Sequence, residues 1–232
     1  MTARFVYCHP LFDERKCGHR FSYQLSQAFA AKGLTLERFD YRGTGEADGD
    51  FEEVTLETLR RDVAEFAGGG DVSLIGVRLG ASLAFEYAAR GEGRVEKLVL
   101  IEPVIDGAEY VDYLCRKQRI KDVMTGRSDV EGEDDGFVNI EGFKTRLELV
   151  EQIKGFALAL AAVTNLSKPD VFIVQVSRSS TIRGDISRFV GSLNGFGCRV
   201  SVESFSLPSF WERVPEADYS CLTNRIAEWC NG

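Results

Sequence analysis

The chain has 232 residues, 44% hydrophobic and 28% charged, which is ordinary globular composition at a length that α/β folds routinely use for one domain. A formal net charge of −8 supplies no basic face for nucleic acid, and no apolar run approaches the length that spans a bilayer. The sequence reaches a strand by Arg4 without a charged-then-apolar leader, so a cytoplasmic location is expected. Six cysteines (Cys8, Cys17, Cys115, Cys198, Cys221, Cys230) lack Cys-x-x-Cys spacing, which signals neither a disulfide framework nor a zinc site.

Short β-rich apolar runs at 5–8, 34–39, 71–75, 97–101, 171–176 and 199–205 alternate with helical patterns at 21–32, 56–66, 79–90 and 219–229. That alternation predicts βα units and a mostly parallel sheet flanked by helices. Between about 107 and 164 the character changes. Residues 110–124 and 143–160 have helical spacing and bracket an acidic, glycine-containing loop, and the sheet resumes at Val171. No linker brackets this stretch, so it reads as a helical cap inserted into a single domain of residues 1–232.

Four motifs follow the strands in order. Cys8-His9-Pro10-Leu11 follows the first, and a glycine-punctuated turn from Asp40 to Glu46 follows the second. Gly76-Val77-Arg78-Leu79-Gly80 follows the third, and Glu102-Pro103 the fourth. The third motif has the form of a nucleophile elbow, in which small residues flank a strained strand-to-helix turn that aims its central side chain at a substrate. Here the central residue is Arg78. A guanidinium is always protonated and cannot attack a carbonyl.

In their order and spacing these motifs resemble the α/β-hydrolase superfamily over nearly the whole chain, without the first strands that many members carry. Gly76-Val77-Arg78-Leu79-Gly80-Ala81, Glu102-Pro103-Val104-Ile105-Asp106-Gly107 and Pro208-Ser209-Phe210-Trp211 look more closely like the type 2 hydrolase-like proteins associated with bacterial exosortase A systems. That resemblance implies the α/β-hydrolase fold, an arginine in the elbow and no assigned substrate.

Acyl transfer on this fold needs a nucleophile at the elbow, then a carboxylate after a later strand, then a histidine. The acid position falls near Val176-Ser177-Arg178-Ser179-Ser180, with no carboxylate until Asp185. The histidine position falls near Phe210-Trp211, and no histidine follows His19. None of the usual triad is therefore expected to be catalytic, and Arg78, His9 and Glu102 are candidates for a vestigial or alternative site. What survives is the oxyanion side: Leu11 N–H, because Pro10 has none, and Leu79 N–H at a helix N-terminus. With Arg78 these donors would favour a carboxylate, a phosphate or a protein carboxyl group. Alternatively Arg78 is neutralised internally, with Glu102 as the first partner and Asp40 or Glu46 as others.

Several residues carry two readings. His9 either braces neighbouring loops or moves a proton. Asp13-Glu14-Arg15-Lys16 reads as an exposed face or a local ion-pair cluster, and the resemblance implies that it lies beside the site with Glu14 or Arg15 at its entrance; Cys17-Gly18-His19 reads as a solvated loop or helix cap rather than a metal site. Ser82 and Cys8 are poor substitute nucleophiles, the first without a histidine and the second buried. Phe210 and Trp211 either plug the old cavity or wall a ligand site. The basic stretch from Arg116 to Lys121, beside the acidic residues 129–135, is either a solvated helix face or a dock for an acidic protein such as an acyl carrier.

The sequence thus predicts a hydrolase-fold binding or scaffolding protein, with an atypical hydrolase or acyltransferase as the alternative. No cofactor and no metal are implied. Partners are a small anionic ligand, an acyl carrier or another protein, and the oligomeric state is left open.

Overall fold

The computed structural model describes residues 4–126, 136–158, 166–212 and 217–232. The chain divides into two compact units. One comprises Met1–Phe39, Val63–Ile105 and Ala159–Gly232, and the other Asp40–Asp62 and Asp106–Leu158.

The first unit is built on six parallel strands: β1 (Arg4–Cys8), β2 (Thr35–Arg38), β3 (Asp71–Val77), β4 (Arg94–Ile101), β7 (Asp170–Val176) and β8 (Arg199–Phe205), in the order β2-β1-β3-β4-β7-β8. β3 and β7 each bury six consecutive residues, which is why they read as unbroken apolar runs rather than alternating ones. Helices α1 (Phe12–Ala31) and α7 (Ser220–Asn231) share one core cluster with the sheet, where Phe21, Leu25, Leu222 and Ile226 meet Tyr7, Val77 and Phe172. Helix α3 (Leu79–Arg90) packs on β3 and β4, and α6 (Gly184–Gly195) on β8. Helix α2 (Leu56–Ala67) crosses the boundary between the units in sequence.

The second unit carries α4 (Gly107–Thr125), a hairpin of β5 (Phe137–Ile140) and β6 (Phe143–Arg146), and α5 (Leu147–Lys154). In its other segment the turn after β2 is closed by Asp62, which accepts the Arg42 N–H at 2.8 Å, and by Asp40, which accepts the Glu46 N–H at 3.0 Å. Among the described residues, no helix is long and apolar enough to cross a membrane.

Three elements differ from the sequence expectation. α1 starts at Phe12, not near residue 21, so the charge run and Cys17-Gly18-His19 lie on a helix. Its first turns bury Glu14 and Gly18 where an apolar residue would have announced the period. The helical pattern at 143–160 opens instead with β6, because Glu141 and Gly142 both take positive φ (54° and 97°) and turn the chain back on itself. α6 has no counterpart in the sequence reading, although Ile186, Phe189 and Leu193 form a buried stripe at helical spacing. The acidic stretch at 129–135 and the cap boundary near 164 lie outside the described residues.

Candidate functional site

Arg78 stands between β3 and α3 at φ 55°, ψ −124°, a conformation that costs a non-glycine residue about 1–3 kcal/mol. Its N–H donates to the Ile101 carbonyl at 2.9 Å, and its carbonyl accepts from Ala81 N–H at 3.0 Å, starting the helix. The flanking glycines permit this. A Cβ on Gly76 would run into the Ala81 backbone, and one on Gly80 into the carbonyls of Cys8 and His9. Two further non-glycine residues at positive φ, Phe12 (56°) and Glu102 (47°), lie just beyond the carboxyl ends of β1 and β4. These three residues lie along the carboxyl edge of the sheet, where open α/β folds place ligands, while Lys168 (53°) precedes β7 at the other end.

The Arg78 side chain is only 14% exposed and pairs with Glu14 of α1, Nε to Oε1 at 3.1 Å, while Glu14 itself is fully buried. The guanidinium carbon lies 5.4 Å from the centre of the Trp211 ring, within range of a cation–π attraction. Nη1 also reaches the main-chain carbonyl of Glu102 at 3.4 Å. The residue at the elbow is therefore held by a carboxylate, a ring and a carbonyl.

The expected pairing with the Glu102 carboxylate is corrected. That carboxylate accepts the Val176 N–H at 2.7 Å and Nη1 of Arg183 at 2.5 Å. The positive φ of Glu102 belongs to a local backbone whose N–H donates to Val174, so its side chain serves β7 and the start of α6. Glu14 is likewise corrected from an entrance residue to a buried one. Asp40 and Glu46 lie in the other unit, joined by the hydrogen bond already described.

Arg183 donates its main-chain N–H to Gln175 and pairs its side chain with Asp185. Burial pulls the Arg183 guanidinium down, but the charge of Glu102 and hydrogen bonds to Asp185 and Glu102 outweigh that and raise it. An arginine–glutamate pair thus lies beside Val176, where the stretch from Val176 to Ser180 begins. Nothing in the local sequence pattern distinguishes Arg183 from the neighbouring Arg178.

His9 is buried and packs edge-on against Tyr7, with ring centres 4.7 Å apart. Leu11 is the buried residue that precedes α1, and Leu79 opens α3, so its N–H is among the donors that a helix leaves without an intrahelical acceptor. Phe210 is buried and stacks on Phe21 at 3.9 Å, edge-on to Trp211. The Ser82 hydroxyl donates to the Val104 carbonyl at 2.7 Å, and burial pushes the Cys8 thiol up to about 12. All six cysteines are free, with Cys221 exposed. Among the described residues, no three of His, Cys, Asp or Glu gather as metal ligands do.

No protein-family model matches the chain. A curated relative, the mitochondrial palmitoyl-protein thioesterase ABHD10 of Bos taurus, is 38% identical over 79 residues, covering 32% of this chain and 26% of that protein. The match therefore spans about a quarter of the relative's length. Likeness to solved structures covers nearly the whole chain. Est1E from Butyrivibrio proteoclasticus, with ferulic acid bound, superposes with a TM-score of 0.63 at 15% identity, over 98% of this chain and 88% of that one. Mouse α/β hydrolase domain-containing protein 10 gives 0.55 at 16%, over 100% and 90%, and the Pyrococcus furiosus esterase PF2001 gives 0.64 at 14%, over 98% and 80%.

Proposed function

We propose that this chain, which has the α/β-hydrolase fold, has lost acyl-transfer chemistry and works as a binding or scaffolding protein. The observation that carries the reading is the elbow: its strained backbone is kept, but its central side chain is a guanidinium lodged against Glu14 and Trp211. A cation there can attract and orient an anion but cannot form an acyl intermediate. Trp211 at the position expected for the general base supports the same reading, as does the lack of any histidine beyond His19.

In this reading Leu11 N–H, Leu79 N–H and Arg78 form the anion-binding side, with Phe210 and Trp211 as its apolar wall. The ligand is a small carboxylate or phosphate, or an acidic partner such as an acyl carrier. The segment at about 107–164 acts as a cap insertion of one domain. The resemblance of the elbow, the Glu102-Pro103 turn and Pro208–Trp211 to exosortase-associated proteins supports a bacterial origin, and the setting proposed is cytoplasmic. Its gene is then expected among exosortase or exopolysaccharide genes.

A second reading is favoured by the 79-residue likeness to a palmitoyl-protein thioesterase. In it Arg78 polarises the carbonyl of an ester or thioester, and Glu14, Glu102 or His9 handles the proton. A fluorophosphonate probe and a panel of p-nitrophenyl ester and acyl-thioester substrates separate the two. The binding reading expects no covalent label and no turnover, and loss of anion affinity in Arg78→Ala. A turnover that Arg78→Ala abolishes would overturn it in favour of the second.

A further inference from the structure

β8 ends the sheet order, so among the described residues one of its edges has no strand beside it. Its ladder to β7 runs without a register shift from Asp170↔Arg199 to Val176↔Phe205, and Ser177 N–H continues it by donating to the Phe205 carbonyl at 3.0 Å. Along a strand the main-chain groups of successive residues point to alternate sides. Since Phe205 addresses β7, so do Glu203, Ser201 and Arg199, while Val200, Val202 and Ser204 turn their N–H and C=O outward. The result is a seven-residue edge with no proline, glycine or bulge. β2 at the other end is shorter, with only four residues, three of them exposed. Folded proteins seldom leave a long regular edge uncovered, because it templates strand pairing.

The side chains say what would cover it. Arg199-Val200-Ser201-Val202-Glu203 reads as a charge palindrome about Ser201. We infer that β8 is a homotypic interface: two copies of this chain pair their β8 strands antiparallel about a two-fold axis through Ser201, joining two six-stranded sheets into one. In this register Val200 faces Val202 of the second copy as a hydrogen-bonded pair, which is what their outward main-chain groups require. Ser201 faces its own counterpart at the narrow spacing of about 4.5 Å between Cα atoms. Arg199 faces Glu203, twice by symmetry.

Within one chain Arg199 already pairs with Asp170 at 2.6 Å, and Glu203 accepts from Arg225 at 2.9 Å. Across the seam the order therefore becomes Asp170, Arg199, then Glu203 and Arg225 of the second copy, so that Arg199 and Glu203 each lie between two charges of opposite sign. A slip by two residues in either direction keeps the main-chain pairing but leaves Arg199 opposite Ser201 or Phe205, losing both cross-strand charge pairs. Val200 and Val202, partly exposed at the free edge, would be covered by the added strand.

Sedimentation equilibrium of the full chain tests the interface, with twice the chain mass expected and the single-chain mass overturning it. Ser201→Cys tests the register, since two thiols facing each other across a narrow pair lie within disulfide range. Mild oxidation is expected to give a covalent dimer, with peptide mass spectrometry assigning the bond to the two introduced thiols. A non-covalent dimer that yields no such bond refutes the register. Val202→Pro removes an N–H that points away from β7, so it is expected to halve the mass while leaving the circular dichroism unchanged. A dimer that survives this substitution also refutes the proposal. These readouts do not depend on ligand binding at the elbow, so the two readings can fail separately.

Discussion

Removing the carboxylate that faces Arg78 tests the central feature of the site. Glu14→Gln keeps the shape and one acceptor oxygen of a fully buried side chain but removes the carboxylate charge 3.1 Å from a guanidinium that is itself only 14% exposed. At 3.1 Å and an effective dielectric near 20, the gross attraction is about 5 kcal/mol, part of which is spent on desolvating both ions. Breaking such a pair from one side costs about 3–5 kcal/mol, because the remaining charge is stranded. In a chain of this length that corresponds to roughly 6–20 °C in Tm. Arg78→Met should be similarly costly, since it removes the cation that faces the buried Glu14 carboxylate and the Trp211 ring. The double variant should cost clearly less than the sum of the two, with a coupling of about 1–3 kcal/mol. Urea titrations of the four proteins give the cycle. A coupling within about 0.5 kcal/mol of zero would refute the claim that the two residues are held against each other away from water.

Three other outcomes follow from the same geometry. Gly80→Ala places a Cβ in the carbonyls of Cys8 and His9, so a loss of about 1–3 kcal/mol or more is expected by denaturant titration, and a neutral result would contradict the close approach of α3 to β1. Thiol labelling at neutral pH should modify Cys221 first and leave Cys8 and Cys230 unmodified until the chain unfolds. Burial pushes both of these thiols up to about 12, and mass spectrometry of labelled peptides reads the order. At Asp185 burial alone would raise the carboxyl, but the hydrogen bond and charge of Arg183 outweigh it and lower it. A depressed folded pKa contributes stability above the ordinary carboxylate range, and that contribution is lost as pH falls through the folded value. Asp185→Asn should therefore flatten the decline in urea midpoint between about pH 5 and pH 2, and an unchanged slope would refute the assignment.

Much of this molecule is legible in its sequence. The buried strands β3 and β7 and the helix α3 declare themselves because each is governed by local period and burial, and Gly76 and Gly80 declare the elbow because only glycine lets the backbones meet there. The lack of a late histidine is a property of composition, and no folding alters it. The partner of Arg78 is another kind of fact. Glu14 and Glu102 lie 64 and 24 positions away, and both are carboxylates on segments that meet the elbow. The choice falls to Glu14 because Val176 N–H and Arg183, 74 and 81 positions from Glu102, already occupy the Glu102 carboxylate. The same holds for the start of α1, where a buried charge takes the place of an apolar residue, and for the free edge of β8, which exists only once the strand order is set. Local sequence specifies periodicity, glycine and chemical type. Which buried charge meets which, and which edge is left open, depends on contacts between distant segments that only the assembled fold selects.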